Sequence, residues 1–457
     1  MFPFIAYNAR GLRNKILREN TEFKKILNEL EKSQWYTQSE LEELQNEKLR
    51  VTIRNAYENV PYYKKVFDAR QLKPLDIKTK DDLWKIPYLY KKDVKEHFNE
   101  LISVKANKRF LYMGHTSGTT GTPAHFYRDM HSINFENAII WRQWHWAGYY
   151  GDSVRATLRG DRIKNGDINK PPFWTYNIPE KQLLLSSFHL SQSNIEYYIE
   201  AINKYKARVL QAYPSAAYLL AKFCKEKNVT IKFDAVFTSS EPVYDYQRAL
   251  IENMFDCKIW DFYGMAERVI SASECEEHNG LHVNEEYGIM EFIDKDDISI
   301  DCINNNEGII VGTSLNNYAM PLIRYVTNDY GELSDNQCSC GRQSKLLNPI
   351  NSRLSDIIYT VDGRGLDPAM LTHIFYGKNI KSIRKSQIIQ KSYTQLILKV
   401  VPSEKLFDER EVDKVIANMK DICGSNMDIN VEFVDDIPCE PSGKYRWIIS
   451  EVNRYEG

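Results

Sequence analysis

Apolar residues at Ile16, Phe23, Ile26, Leu27 and Leu30 recur at helical spacing among Lys, Glu and Asn, which predicts an all-helical lead-in from about residue 10 to 70. Ile86-Pro87 then marks an extended break between helices, because proline pushes its predecessor out of the helical region. Ala124-His125-Phe126-Tyr127 predicts a short aromatic strand, and the stretch from about Ser132 to Gly148 a long helix carrying Trp141, Trp144 and Trp146. From about 153 to 265 strand and helix patterns alternate: strands at Ser153–Leu158, Val209–Tyr213 and Ala235–Ser240, helices at Ile195–Lys206 and Ala216–Lys225. Such alternation predicts an α/β layered domain with a largely parallel sheet. Between about 280 and 335 the pattern becomes short strands with turn signals, at Gly288–Ile293, Gly308–Thr313 and Leu322–Tyr325, as in an antiparallel subdomain. Beyond Asp356 it restarts with a strand near Tyr393–Val401, an amphipathic helix over Glu409–Cys423 and a strand near Asp428–Val434.

Length turns these elements into domains. A chain of 457 residues exceeds what one hydrophobic core usually organises. The division expected is a helical lead-in of the large domain at 1–100, a core with the antiparallel subdomain at 101–355, and a small α+β domain at 356–457. A hydrophobic fraction of 43% with 27% charged residues is ordinary for a globular protein, and a net charge of −2 argues against a nucleic-acid-coating role. No apolar run reaches the ~18 residues of a membrane span, and the N-terminal residues lack the basic-then-apolar pattern of a secretory signal, so a cytoplasmic protein is expected. Its eight cysteines then read as free thiols or metal ligands.

Chemistry concentrates in three places. Gly114-His115-Thr116-Ser117-Gly118-Thr119-Thr120-Gly121-Thr122-Pro123 offers glycines for close backbone approach, with N–H groups and hydroxyls that donate to phosphate oxygens. No lysine follows its second glycine, so it is not a Walker-type loop. Tyr213-Pro214-Ser215, Ser239-Ser240-Glu241-Pro242 and Asp261-Phe262-Tyr263-Gly264 all follow predicted strands, where ligands of open α/β sheets gather. Trp141, Tyr213, Ser240, Glu241 and Met265 are candidate pocket walls, although tryptophans on this helix read first as packing residues. Finally, Cys275, His282, Cys338 and Cys340 supply one nitrogen and three sulfurs, a set suited to a closed tetrahedral structural Zn²⁺ site, with His278 the competing nitrogen.

Four separated segments occur in the order used by adenylate-forming enzymes. Thr116–Pro123 resembles their phosphate loop, Tyr263-Gly264-Met265-Ala266-Glu267 their Tyr-Gly-x-x-Glu element, Arg324-Tyr325-Val326-Thr327-Asn328-Asp329 their Arg-Tyr-x-Thr-x-Asp segment, and Pro441-Ser442-Gly443-Lys444 their terminal Pro-x-Gly-Lys element. The resemblance spans nearly the whole chain and is nearest to the phenylacetate-CoA ligase and CapK-like branch of that superfamily. Val60-Pro61-Tyr62-Tyr63, Arg159-Gly160-Asp161-Arg162 and Cys338-Ser339-Cys340-Gly341-Arg342 also match that branch. It implies a large N-terminal adenylate-forming domain, a small mobile C-terminal domain, and ATP-dependent activation of a small carboxylic acid with release of pyrophosphate. The acyl group would then pass to CoA, or to an amine or hydroxyl acceptor in surface-polysaccharide biosynthesis.

By the same resemblance Lys444, Glu267 and Thr119 are catalytic, Lys444 bridging the substrate carboxylate and the α-phosphate and Glu267 holding Mg²⁺. Thr116, Ser117, Gly118, Thr120, Gly121, Ser240, Glu241, Tyr263, Gly264, Met265, Ala266, Asp329 and Arg353 would bind ATP, Asp329 through both ribose hydroxyls. Asp356 would be the pivot between domains. Two residues depart from the pattern: Ser352 stands where the hinge motif has glycine, and Ala124 where many relatives outside this branch carry lysine. A nucleotide-binding scaffold without catalysis, and an adenylyl transferase acting on a hydroxyl, are the alternatives.

Overall fold

The computed structural model describes residues 2–115, 124–160, 163, 170–293, 306–350, 356–361, 365–366, 371, 380, 382–403, 407–440 and 444–452. The lead-in is helical as its periodicity requires, in α1 (Phe2–Arg18), α2 (Thr21–Ser33), α3 (Gln38–Asn59) and α4 (Pro61–Ala69). α3 and α4 begin on local signals. Thr37 and Glu40 close a capping box on α3, and Pro61 occupies the first turn of α4, where its missing N–H costs nothing. After the extended Ile86 and the short α5 (Lys91–Glu96), the hairpin β1 (Tyr112–His115) and β2 (His125–Arg128) brackets residues 116–123, and α6 (Met130–Trp146) follows. Asp129 caps α6 at Ser132 N (2.8 Å), while its other oxygen accepts from Tyr318 N and Ala319 N, tying the helix start to a distant loop.

A nine-stranded sheet dominates the large domain. Its strands are β3 (Val154–Arg159), β4 (Trp174–Asn177), β5 (Gln182–Ser186), β6 (Ala207–Ala212), β7 (Ala235–Ser239), β8 (Lys258–Gly264), β9 (Ser271–Glu274), β10 (Leu281–Val283) and, later in the chain, Leu346–Leu347. The run β5-β3-β6-β7-β8 is parallel; β4 at one edge and β9, β10 and 346–347 at the other are antiparallel. Strand alternation divides the sheet's two faces. Ala156, Leu158, Leu183, Leu185, Leu210 and Ala212 pack under α7 (Ile195–Tyr205) and α8 (Pro214–Lys227), whereas Val209 and Phe237 face Trp144 of α6. The lead-in belongs to the large domain: Phe23, Ile26, Leu27 and Leu30 of α2 pack on Phe135 and Ile139 of α6.

The antiparallel subdomain is the three-stranded sheet β11 (Gly288–Ile293), β12 (Glu307–Ser314) and β13 (Tyr325–Glu332). Here one expectation fails. Leu322–Arg324 precedes the strand rather than starting it, because Arg324 sits at φ +52°. The irregular backbone is held by Tyr63, whose hydroxyl donates to Pro321 O (3.1 Å) and accepts from Ile323 N (2.9 Å). The small domain has Gln395–Pro402 and Asp428–Phe433 as expected, and the helix Glu409–Cys423 packs Val415, Met419 and Cys423 on Leu396, Leu398 and Val400. Its longest strand, Ile383–Ser392, was not expected from sequence; it pairs antiparallel with 395–402 and parallel with Ile448–Ser450.

Candidate active site

β6, β7 and β8 are parallel neighbours, and residues beyond the carboxyl ends of β6 and β7 open on one crevice. Tyr213 follows β6, Ser240 and Glu241 follow β7, and Asp261–Gly264 forms the end of strand β8 itself rather than following it. Ser240 adopts φ +75°, a left-handed conformation uncommon for a residue with a side chain and concentrated at functional turns. Beyond this turn Glu241 is enclosed. Its Oε2 accepts from Ser215 N (3.0 Å) at the start of α8, and its Oε1 accepts from Tyr445 N (3.2 Å) of the small domain. Burial raises the Glu241 carboxyl above its ordinary range, and the Ser215 and Tyr445 donors and the Lys444 charge oppose that shift.

Lys444 therefore stands in the crevice, its Nζ 6.0 Å from the centroid of the Tyr213 ring. The cleft between the domains encloses about 110 Å³ and is lined from the large side by Ser240, Glu241 and Tyr244, from the small side by Lys444 and Arg446. Asp356, expected as the pivot, also lines it and accepts from Arg446 at 2.8 Å.

Elsewhere in the large domain β8 and the turn after it meet β13. Tyr263 Oη donates to Asp329 Oδ2 (2.9 Å), and Tyr325 Oη donates to Glu267 Oε1 (3.1 Å). Burial, then the neighbouring Glu267, pushes the Tyr325 phenol far above its ordinary value, so it remains a donor. The Gly264-Met265-Ala266 turn is pinned by Arg128, whose guanidinium donates to Ala266 O. Arg128 crosses so close beneath Gly114 that a Cβ there would lie 2.3 Å from its guanidinium carbon, which explains glycine at the loop entrance. Ala124 at the loop exit is fully buried, so the lysine of other relatives would bury an ammonium there.

Thr116, Ser117, Gly118, Thr119, Thr120 and Gly121 of the loop, and Arg353, lie outside the described residues. Among the rest, Lys444, Glu241, Ser240, Asp356 and Tyr213 gather at the domain boundary, and Glu267, Asp329, Tyr263, Gly264, Met265 and Ala266 where β8 and the turn after it meet β13. Sequence reasoning assigned no role to Arg446 and Tyr445, which join the small domain to Asp356 and Glu241; their place beside Lys444 was the available signal. Arg324 is engaged elsewhere: its guanidinium pairs with Glu291 (3.0 Å), donates to Ile86 O and stacks on Tyr88. The tryptophans divide as well. Trp144 is core and Trp146 donates to Gln34, while Trp141 borders a separate polar cavity.

The cysteine cluster assembles from three segments. Cys275 follows β9, His282 lies on β10, and Cys338 and Cys340 lie in the loop after β13; their four ligand atoms fall within 4.8 Å of one another. Cys275 Sγ and Cys338 Sγ are 3.6 Å apart, and Cys340 Sγ and His282 Nε2 3.3 Å. A tetrahedral ion with ligands at 2.0–2.3 Å would separate them by about 3.3–3.8 Å, so the set fits a metal, and the sulfurs are too far apart for a disulfide. Ser344 Oγ sits 3.0 Å from His282 Nδ1, which leaves Nε2 facing the sulfurs. Burial, reinforced by Arg342, lowers His282 to about 4, so the imidazole is neutral and able to ligate. Burial raises the Cys275 thiol, a cost a bound cation would reverse. His282 stands with the three cysteines, whereas His278 faces Glu274 (3.4 Å) and the Trp260 ring.

Comparison with known proteins agrees with this architecture. The CapK C-terminal domain family matches residues 358–451. Protein CapK of Staphylococcus aureus is 26% identical over 429 residues, covering 91% of this chain and 90% of that protein. The phenylacetate-coenzyme A ligase of Thermus thermophilus is 24% identical over 324 residues, covering 70% and 71%. Among solved structures, a 2-hydroxyisobutyryl-CoA ligase in the postadenylation state shares the fold with a TM-score of 0.70 at 17% identity, over 91% of both chains. In its elements, its crevice and its relatives the chain is similar, over most of its length, to the CapK and phenylacetate-CoA ligase branch of the adenylate-forming CoA ligases.

Proposed function

We propose that this ligase activates a small carboxylic acid with ATP and then transfers the acyl group to CoA. A carboxylate oxygen attacks the α-phosphorus, a new O–P bond forms, and the bond to the bridging oxygen breaks, with pyrophosphate leaving as it takes that electron pair. The observation that carries this reading is Lys444, brought by the small domain into the crevice beyond the carboxyl ends of β6 and β7 and held beside Glu241. Its ammonium would neutralise the charge that builds between carboxylate and phosphate, where fixed charge in a water-poor cleft acts most strongly. Glu241 would set the position of the lysine segment through Tyr445 N–H. Asp329, oriented by Tyr263, would accept from the ribose hydroxyls, and Thr119 with the other residues of the 116–121 loop, together with Arg353, would bind the rest of ATP. Mg²⁺ held by Glu267 would supply further charge neutralisation at the phosphates.

For transfer, the small domain of residues 356–457 would rotate about Asp356 and withdraw Lys444. A structural zinc on Cys275, His282, Cys338 and Cys340 would fasten the loop after β13 to the sheet edge. An amine or hydroxyl acceptor of a surface-polysaccharide route is the alternative to CoA, separated from it by identifying the acyl product. The test is exchange of labelled pyrophosphate into ATP across a panel of acids. Acid-dependent exchange is expected; none with any acid would instead leave a binding scaffold or an adenylyl transferase.

A further inference from the structure

The first helix, α1, presents an apolar stripe to solvent. Ile5, Ala9, Leu12 and Ile16 are spaced four, three and four residues apart, which at about 100° per residue gathers them into an arc of about 60° and a length of about 16 Å. These side chains are turned away from the molecule: Ile5 is 59% exposed, Leu12 53% and Ile16 63%.

The rotation of the helix is fixed from behind. Gly11, on the opposite side, lies so close to β4 that a Cβ there would stand 2.0 Å from Asn177 Oδ1, an approach that glycine permits. Asn8 grips the turn that follows β4, donating to Tyr176 O (3.3 Å) and accepting from Ile178 N (2.8 Å). With α1 seated this way the stripe faces outward, and Ile178, itself 59% exposed, lies alongside the helix.

Charge follows the same geometry. α1 carries Arg10, Arg13, Lys15 and Arg18 and no aspartate or glutamate, in a chain whose net charge is −2. Arg10 and Arg18 line the cavity beneath the helix, whereas Arg13 and Lys15 are exposed and fall on opposite flanks of the stripe. Lys15 donates to Pro179 O (2.9 Å), next to Ile178, and its ammonium has further donors to give.

An apolar stripe between cationic flanks matches the surface of an anionic bilayer. Acyl chains take up isoleucine and leucine, and the phosphates above them take up arginine and lysine, whose long stems reach back to that level. A second copy of α1 packed on the stripe would instead bring like charges together at both flanks, whichever way the two helices ran.

We propose that α1 lies along an anionic lipid surface, with Ile5, Leu12, Ile16 and Ile178 among the acyl chains and Arg13 and Lys15 at the phosphates. Apolar burial and charge act together in such an attachment, which is peripheral and reversible. Among the described residues no helix is long and apolar enough to cross a membrane, so the contact is with one face of the bilayer. This attachment is independent of the ligase reading.

The test is flotation of the full chain with vesicles of phosphatidylcholine alone, or of equal parts phosphatidylcholine and phosphatidylglycerol. The wild type is expected to bind the anionic vesicles about tenfold or more tightly than the neutral ones, and to lose most of that preference at high salt, where exposed charges are screened. Leu12→Gln with Ile16→Gln should weaken binding to the anionic vesicles about tenfold or more; both side chains are exposed, so the melting temperature should stay unchanged. Arg13→Gln with Lys15→Gln should bring the affinities for the two kinds of vesicle within about a few-fold of each other. Absence of wild-type binding to the anionic vesicles overturns the proposal, as does binding that Leu12→Gln with Ile16→Gln leaves intact, which would assign it to charge elsewhere on the surface. A concentration-dependent dimer in light scattering, abolished by the same double change and found in place of vesicle binding, would give the stripe to a second copy and overturn it as well.

Discussion

At the scale of single residues, the site rests on charges whose neighbours are now known. Lys444 shares its surroundings with Glu241 and the Tyr213 ring, so its ammonium is aimed into the cleft rather than dispersed in solvent. Lys444→Ala should lower the rate of adenylate formation by about 10²–10⁴-fold while leaving ATP affinity within a few-fold, as expected for a group that acts chiefly on developing charge; wild-type exchange rates in this variant would remove Lys444 from the mechanism. The metal cluster makes a second prediction at this scale. Purified protein should contain about one zinc per chain, and the double change Cys338→Ser with Cys340→Ser should release it and lower the melting temperature. A folded, metal-free wild type, shown by elemental analysis with an unchanged melt, would contradict it. The four candidate ligands could be picked out in sequence, but which of His278 and His282 stands beside the cysteines could not. His282 lies on β10, opposite Ser273 of β9, while His278 turns toward Glu274.

At the scale of elements, strands built on apolar alternation were legible and those built on buried polar contacts were not. Ile383–Ser392 buries Ser386, Gln387 and Gln390, so its sequence lacks the expected pattern. Each finds its partner far along the chain: Trp447 Nε1 donates to Ser386 Oγ, Gln387 donates to Arg446 O, and Gln390 donates to Tyr359 O. A related conflict sits in β8. Burial, with Glu274 adding to it and the Thr238 hydroxyl opposing, raises the Asp261 carboxyl to about 6. Because the folded value exceeds the unfolded one of 3.8, the proton is held more tightly in the fold; the stability it confers is complete below 3.8 and lost as pH rises through about 6. Asp261→Asn should therefore raise stability at pH 7.5 by on the order of 1–2 kcal/mol and flatten its pH dependence between about 4 and 6. Urea unfolding at both pH values checks this, and an unchanged or lower midpoint at pH 7.5 would refute it.

At the scale of the whole molecule, Glu241 links the start of α8 to the backbone that follows Lys444. Removing a half-buried carboxylate that accepts from both sides leaves two backbone donors without this partner. Glu241→Ala should slow adenylate formation by about tenfold or more and increase hydrogen exchange across 444–450, with the nine-stranded sheet unaffected; unchanged exchange in that segment would show that the contact does not hold the domains together. The order of elements, the parallel character of the central sheet and the sequence of family motifs were all determined by the chain itself, because they depend on periodicity and local spacing. The tertiary structure decided which side chains meet. Arg324, part of the Arg-Tyr-x-Thr-x-Asp segment, turned out to be locked to Glu291, whereas Arg155, outside the motifs singled out in sequence, stacks on Trp144 beside a cavity. Side-chain chemistry is written residue by residue, but charge and hydrogen-bond partners come from strands and helices hundreds of positions apart, and only folding brings them within reach.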